Sequence, residues 1–270
     1  MTTKTKLMAI INVTPDSFFE QSRVSSIDDA VSKALIFQEQ GADLLDIGAA
    51  STRPFADPVS PEEELKRLEP IIKELKNQTS LPISIDTFHP FVAKKALELG
   101  ANIINDISGC SHLEMQAIVK DFNVPIIVMH MQGTPQTMQI KPFYKNGVVN
   151  EVMTFFKRRV DELLKVGIKK QNIILDPGIG FGKTVDDCCR LTMHLQDFKA
   201  LGFPILYGAS RKSFLQKIIN KPVSEQLSTT LSVNTIALMA KVDYIRVHDI
   251  CPHRDIIDLI DYLSAVDNDG

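Results

Sequence analysis

Asp176 closes the apolar run Ile173-Ile174-Leu175, and Pro177, Gly178, Ile179, Gly180, Phe181, Gly182 and Lys183 follow it. A carboxylate at the exit of a buried run is costly unless it has a partner. Other apolar runs end the same way: in Asn12, Asp46, Asp86, Asn105-Asp106, Met129-His130 and Arg246-Val247-His248-Asp249. Carboxylates, amides and cations aimed at one mouth make a hydrogen-bonding cup for a planar heterocycle with an amide-like edge. Carboxylates accept from ring N–H and amino groups, and an asparagine amide both donates and accepts. Gly208-Ala209-Ser210-Arg211-Lys212-Ser213 adds small residues, which let a ligand approach the backbone, and a lysine in a first helical turn. Lysine is unfavourable there, so a ligand or carboxylate partner is expected for Lys212. Ser213 with the helix N-terminus offers an anion site. Arg246 and His248 alternate, so they share a face and suit a phosphate or a flat ring.

Each of these residues also has a plainer reading. A single aspartate at a strand end is often a helix cap or a turn carboxylate, and for Asp46 and Asp249 that reading is at least as strong as a functional one. Asn105 and Asp106 point opposite ways, so only one faces the mouth. His130 reads as a satisfied buried histidine, since no Cys or His lies at ligand spacing. His89, His112, His194 and His253 read as surface or cap residues. Met129, Met131 and Met138 could wall a flat ring, with core packing the expectation for at least one. Lys183 reads as a surface residue.

The elements that would position these groups are short β-branched runs between amphipathic stretches. Strands are expected near Leu7–Asn12, Leu44–Ile47, Ile83–Asp86, Ile103–Asp106, Pro125–His130, Ile173–Asp176, Ile205–Tyr207 and Tyr244–Val247. Helices are expected over Ile27–Gln40, Pro61–Lys76, Pro90–Leu99, Glu114–Phe122, Val148–Val166, Asp186–Leu201, Arg211–Ile219, Glu225–Ala240 and Pro252–Ala265. Eight βα units of about 34 residues fit one (β/α)₈ barrel over residues 1–270, a single domain with its working face at the C-terminal strand ends. An open doubly wound sheet would want a G-x-G-x-x-G after the first strand, where this chain has Asn12-Val13-Thr14-Pro15-Asp16-Ser17-Phe18.

Composition narrows the field. The 270 residues carry a formal net charge of −3, with 44% hydrophobic residues. Neither a nucleic-acid nor a membrane-surface partner is indicated. No apolar run reaches the roughly 18 residues of a membrane span. The N-terminal apolar run reads as a first strand rather than a signal peptide. Cys110, Cys188, Cys189 and Cys251 match no zinc spacing and read as reduced thiols in a cytoplasmic protein.

The chain resembles the dihydropteroate synthase family over nearly its whole length. The resemblance rests on the run from Ile11 to Phe18, Ser51-Thr52-Arg53-Pro54, Ser84-Ile85-Asp86-Thr87, Ile104-Asn105-Asp106, Met129-His130-Met131-Gln132-Gly133, Asp176 to Lys183, Ser210-Arg211-Lys212-Ser213 and Arg246-Val247-His248-Asp249. It implies a TIM barrel. It also implies a transferase of folate biosynthesis, the sulfonamide target, joining p-aminobenzoate to 6-hydroxymethyl-7,8-dihydropterin pyrophosphate with Mg²⁺ assisting. In the family the C–O bond breaks early and the arylamine attacks a cation-like pterin. The residues implied for the pterin are Asp86, Asn105, Asp176, Lys212 and Arg246, with Met129 and Ile107 beside them; Lys212, Asp86 and Arg246 carry the catalytic roles. Asn12, Arg246 and His248 would hold the pyrophosphate, Asn12 also touching the metal. Phe18, Thr52, Arg53, Pro54, Phe181 and Ser213 match positions around p-aminobenzoate. A homodimer through late helices is implied as well.

Two loops, roughly residues 14–25 and 49–59, would close over the second substrate and exclude water. Here the chain departs from the family. Phe19-Glu20-Gln21-Ser22 replaces a Ser-Asp-Gly-Gly run. Gly48-Ala49-Ala50 and Phe55-Ala56 replace Gly-Gly-Glu and Gly-Ala. Normal synthase activity with altered loop behaviour and altered sulfonamide affinity is the resulting expectation. One rival is a methyltetrahydrofolate–corrinoid methyltransferase, which has no use for the Ser-Arg-Lys-Ser run. Another is a binding-only pterin paralogue, against which Lys212, Arg246 and Arg53 speak.

Overall fold

The computed structural model describes residues 4–13, 26–51 and 56–268. Eight strands lie among them: β1 (Lys6–Asn12), β2 (Leu44–Gly48), β3 (Ile83–Asp86), β4 (Ile103–Asp106), β5 (Ile126–Met129), β6 (Ile173–Asp176), β7 (Leu206–Tyr207) and β8 (Tyr244–Val247). All pairings are parallel, in the order β6-β5-β4-β3-β2-β1-β8-β7. A parallel bridge between Leu175 and Ile205 joins the two end strands, so the sheet closes on itself as the expected barrel.

Strand parity sorts the core into two bodies, because successive side chains face opposite sides. The outward set includes Leu7, Ala9, Ile11, Leu45, Ile47, Ile85, Ile104, Val128, Leu175, Ile245 and Val247, and merges with the buried faces of the surrounding helices. The inward set starts with a small apolar plug of Met8, Leu44, Ile103, Ile127, Ile174 and Leu206, with Tyr244 packed on it. Two residues further along, the inward position turns polar or bare at Asp46, Asn105, Asp176, Gly208 and Arg246, while β1 and β5 keep buried Ile10 and Met129 there. Side chains therefore fill the barrel floor, and the charged layer sits directly above it.

Ten helices are described: α1 (Ile27–Glu39), α2 (Pro61–Gln78), α3 (Pro90–Glu98), α4 (Leu113–Phe122), α5 (Val148–Lys165), α6 (Val185–Met193), α7 (Leu195–Lys199), α8 (Ser213–Ile219), α9 (Leu227–Met239) and α10 (Ile250–Asn268). Capping explains several starts. Ser60 Oγ accepts from Glu63 N at 3.2 Å, and Glu62, Glu63 and Glu64 fill the first turn of α2. Thr184 and Asp187 form a reciprocal capping box at α6. The helix expected over Asp186–Leu201 is in fact two, because His194 leaves helical geometry between α6 and α7. Lys212 is not in a first helical turn. It precedes α8 in extended conformation.

Candidate active site

The inward polar layer is held by a network around Asp46, which is fully buried. Its carboxylate accepts from Ser84 Oγ at 2.6 Å, Asn105 Nδ2 at 3.1 Å and Arg246 Nε at 2.6 Å. Three strands thus meet on one group, and the turn or cap reading of Asp46 is wrong. The alternation in Leu44-Leu45-Asp46-Ile47-Gly48, with Leu45 and Ile47 outward, places Asp46 inward and was the available signal. Arg246 Nη2 also donates to Asp86 Oδ2 at 2.9 Å, so its guanidinium bridges two carboxylates across the mouth. The other Asp86 oxygen, Oδ1, is buried and has no hydrogen-bond partner among the described residues. Burial pushes the Asp86 carboxyl up to about 7, against the pull of Arg246, with Asp46, Asp106 and Asp176 adding to the rise.

Asn105 and Asp106 divide as their parity requires. Asn105 faces inward to Asp46. Asp106 points outward and accepts from Ser108 N at 2.7 Å and Cys110 N at 3.1 Å, capping its own turn. Ile107 and Met129 are buried beside these strand ends.

Asp176 Oδ1 accepts from Gly178 N at 2.7 Å. Burial raises its pKa, and Lys212 opposes that rise most strongly. Lys212 Nζ donates to the Ile179 carbonyl and lies 4.5 Å from the centroid of the Phe181 ring. Desolvation lowers Lys212 to about 8, countered first by Asp176. The glycines make this approach feasible. At Gly178, φ is +66° and an added Cβ would stand 2.0 Å from the His130 carbonyl oxygen. At Gly182, φ is +65° and a Cβ would stand 2.6 Å from the Gln132 carbonyl oxygen. The loop is covered by the segment after β5: Gln139 Nε2 donates to Gly180 O at 2.6 Å and Tyr144 Oη to Gly182 O at 2.7 Å.

Lys183 is buried, contrary to its surface reading, with only 3% of its surface exposed. Its Nζ lies 3.0 Å from His130 Nδ1, 3.2 Å from His130 O and 2.9 Å from Phe181 O. His130 is the satisfied buried histidine expected, held neutral by burial and by the Lys183 charge. His253 is also buried, not a surface residue, and lies between Asn234 Nδ2 and Asp249 O.

The loop after β7 is set by Arg211, whose guanidinium donates to both Asp249 oxygens, at 2.9 and 2.7 Å, and to Val223 O at 3.0 Å. Asp249 is thus a structural carboxylate joining the loops after β7 and β8. Ser210 Oγ lies 3.0 Å from His248 Nδ1 and orients that ring. Ser213 is exposed at the start of α8, and Asn12 ends β1, half-buried at the rim. Phe18, Thr52, Arg53 and Pro54 lie outside the described residues.

A closed parallel barrel with its charged layer at the C-terminal strand ends defines an enzyme of the (β/α)₈ class, working at that mouth. Comparison with known proteins narrows it. The family described as "Pterin binding enzyme" matches residues 8–248. The chain is 41% identical over 262 residues to dihydropteroate synthase of Synechocystis sp., covering 96% of this chain and 90% of that one. It is 38% identical over 252 residues to that of Haemophilus influenzae, covering 93% and 91%. Yersinia pestis dihydropteroate synthase, solved in a sulfonamide drug complex, superposes with a TM-score of 0.93 at 32% identity, covering 97% and 95%. Xanthomonas albilineans dihydropteroate synthase in complex with 7,8-dihydropteroate superposes with a TM-score of 0.86 at 33% identity, covering 98% and 95%. The chain belongs to the pterin-binding enzyme family and, within it, to the dihydropteroate synthases, transferases of folate biosynthesis.

Proposed function

We infer that Asp86, Asn105, Asp176 and Lys212 hold the pterin of 6-hydroxymethyl-7,8-dihydropterin pyrophosphate, and that the chain joins it to p-aminobenzoate. The observation that carries this assignment is the buried, unpartnered Asp86 Oδ1 beside inward-facing Asn105 and Asp176. A pterin amino and ring N–H edge supplies the missing donors. Lys212 donates to an acceptor on the ring, and Ile107 and Met129 contribute apolar wall.

The chemistry follows from the field in the cup. The C–O bond breaks with its electron pair leaving on pyrophosphate, and the pterin carbon becomes electron-poor. Asp86 and Asp176, fixed by Arg246 and Gly178 N, stabilise that developing positive charge without reorganising. The arylamine nitrogen of p-aminobenzoate then attacks the carbon and releases a proton to solvent. Arg246 and His248 meet the departing pyrophosphate, the latter oriented by Ser210. Phe181, with Lys212 over its ring, separates the pterin from the p-aminobenzoate side, where Ser213 would meet the carboxylate.

Among the described residues no group of three or more His, Cys, Asp or Glu could hold a metal ion. A single amide oxygen at Asn12 fits Mg²⁺, which keeps water and phosphate ligands in preference to an all-protein cage. When bound it would neutralise pyrophosphate charge. Exposed Met239 on α9 and Tyr262 and Leu263 on α10 support a homodimer through these helices. Four free cysteines support a reducing, cytoplasmic setting. Ala49, Ala50 and Phe55 support altered closure of the second loop and altered sulfonamide affinity. Ordinary sulfonamide inhibition, with an unchanged KM for p-aminobenzoate in Phe55→Gly, would remove that part. The assignment as a whole is tested by incubating the chain with both substrates and Mg²⁺. Mass-spectrometric detection of 7,8-dihydropteroate supports it, and failure to form that product rejects it.

A further inference from the structure

Lys183 is a buried lysine, pushed down to about 7 by desolvation, that the reaction does not use directly. Its Nζ has three partners at hydrogen-bond distance: His130 Nδ1, His130 O and Phe181 O. One acceptor set belongs to the end of β5 and the other to the glycine loop after β6. Lys183 Nζ therefore ties that loop to the neighbouring strand from beneath.

The same loop supplies both contacts of Lys212. Ile179 O accepts from Lys212 Nζ, and the Phe181 ring lies under it. Phe181 thus uses its carbonyl on Lys183 and its ring on Lys212. We propose that Lys183 is a positioning residue for Lys212, acting through the Gly178–Gly182 loop, and thereby sets pterin affinity without touching the pterin.

The loop has reason to need such a tie. Gly178, Gly180 and Gly182 all take positive φ. Glycine gains more freedom than other residues when released, so three in five residues favour an unfixed loop. Gln139 and Tyr144 cover it from outside, and Thr184 begins the α6 capping box directly after Lys183. Lys183 is the inner fastening. The charged and titratable groups that act on it are Asp176 at the end of β6, Lys212 before α8, and Cys188 and Asp187 on α6, with His130 in contact.

This inference rests on the pterin assignment of the site. Its test is a double-mutant cycle read by the dissociation constant of 6-hydroxymethyl-7,8-dihydropterin, measured calorimetrically for the unsubstituted chain, Lys183→Met, Lys212→Ala and the double variant. Residues that act as a unit are non-additive. Lys183→Met should weaken binding by about fivefold or more in the unsubstituted background and by less than about twofold in the Lys212→Ala background. Lys183→Arg, which keeps donors in place, should recover binding to within about threefold of the unsubstituted chain. An equal effect in both backgrounds, or none in either, overturns the proposal, because a loss of general packing would not depend on Lys212. Should Lys183→Met fail to fold, Lys183→Gln in the same cycle is read by the same criterion. No binding by the unsubstituted chain would instead reject the pterin assignment itself.

Discussion

Arg246 Nε lies 2.6 Å from Asp46 Oδ2, and Asp46 has no solvent exposure at all. The pair joins β8 to β2 across the barrel and leaves Arg246 Nη2 to meet Asp86 at 2.9 Å. Arg246 is consequently a preoriented cation whose direction is set by a residue one layer below the mouth.

Removing Asp46 should therefore damage both stability and turnover. Asp46→Ala strands Arg246, Ser84 and Asn105 without their shared acceptor. Breaking a buried pair from one side costs about 3–5 kcal/mol. Urea unfolding should show a loss of that size. KM for the pterin substrate should rise in whatever fraction remains folded, since Asn105 and Arg246 lose their anchor. Unchanged unfolding would contradict the network.

Gly178→Ala should act through geometry alone. A Cβ there would sit 2.0 Å from the His130 carbonyl oxygen, on a backbone with φ of +66°. Backbone cannot yield as a flexible side chain can, so a loss of about 2–4 kcal/mol is expected. Gly147→Ala is the control, because nothing stands within 4 Å of its added Cβ and only the φ of +81° is strained. The two variants should differ clearly in thermal unfolding.

Glu64 gives a pH prediction. It is 1% exposed on α2, and both carboxyl oxygens are buried. His89 Nε2 stands 3.9 Å away, itself pushed down by burial. Burial raises Glu64 from 4.5 to about 7, against a side-chain hydrogen bond from Thr87 and the charge of Arg67, with Asp86 adding to the rise. The folded chain holds this proton more tightly than the unfolded chain. Stability linked to Glu64 is then intact below pH 4.5 and is lost as pH climbs to about 7. Glu64→Gln removes that loss. Its unfolding free energy relative to the unsubstituted chain should improve by about 3 kcal/mol between pH 4.5 and pH 8. A difference independent of pH would show that Glu64 ionises normally.

Much of the molecule was legible in its residues, for reasons that also explain the gaps. The runs ending in Asp86, Asn105 and Asp176 fixed strand positions to the residue, because a buried parallel strand is a short apolar run with a polar exit. Asp46 was misread because a lone aspartate usually caps a turn. Strand parity alone would have placed it inward. Lys183 follows Gly178, Gly180 and Gly182, a context that reads as exposed loop. Its buried Nζ meets His130, a contact across 53 residues of chain that no local pattern encodes. His253 was hidden likewise, since its partner Asn234 belongs to another helix.

The central claim is that a pterin cup at the barrel mouth runs the synthase reaction. The most direct measurement is pyrophosphate release from 6-hydroxymethyl-7,8-dihydropterin pyrophosphate, p-aminobenzoate and Mg²⁺, comparing the unsubstituted chain with Lys212→Ala and Asp86→Asn. The account predicts release that requires p-aminobenzoate and falls by about a hundredfold or more in each variant, as for loss of one preorganised charged partner. No release from the unsubstituted chain, or equal release from all three proteins, would contradict it.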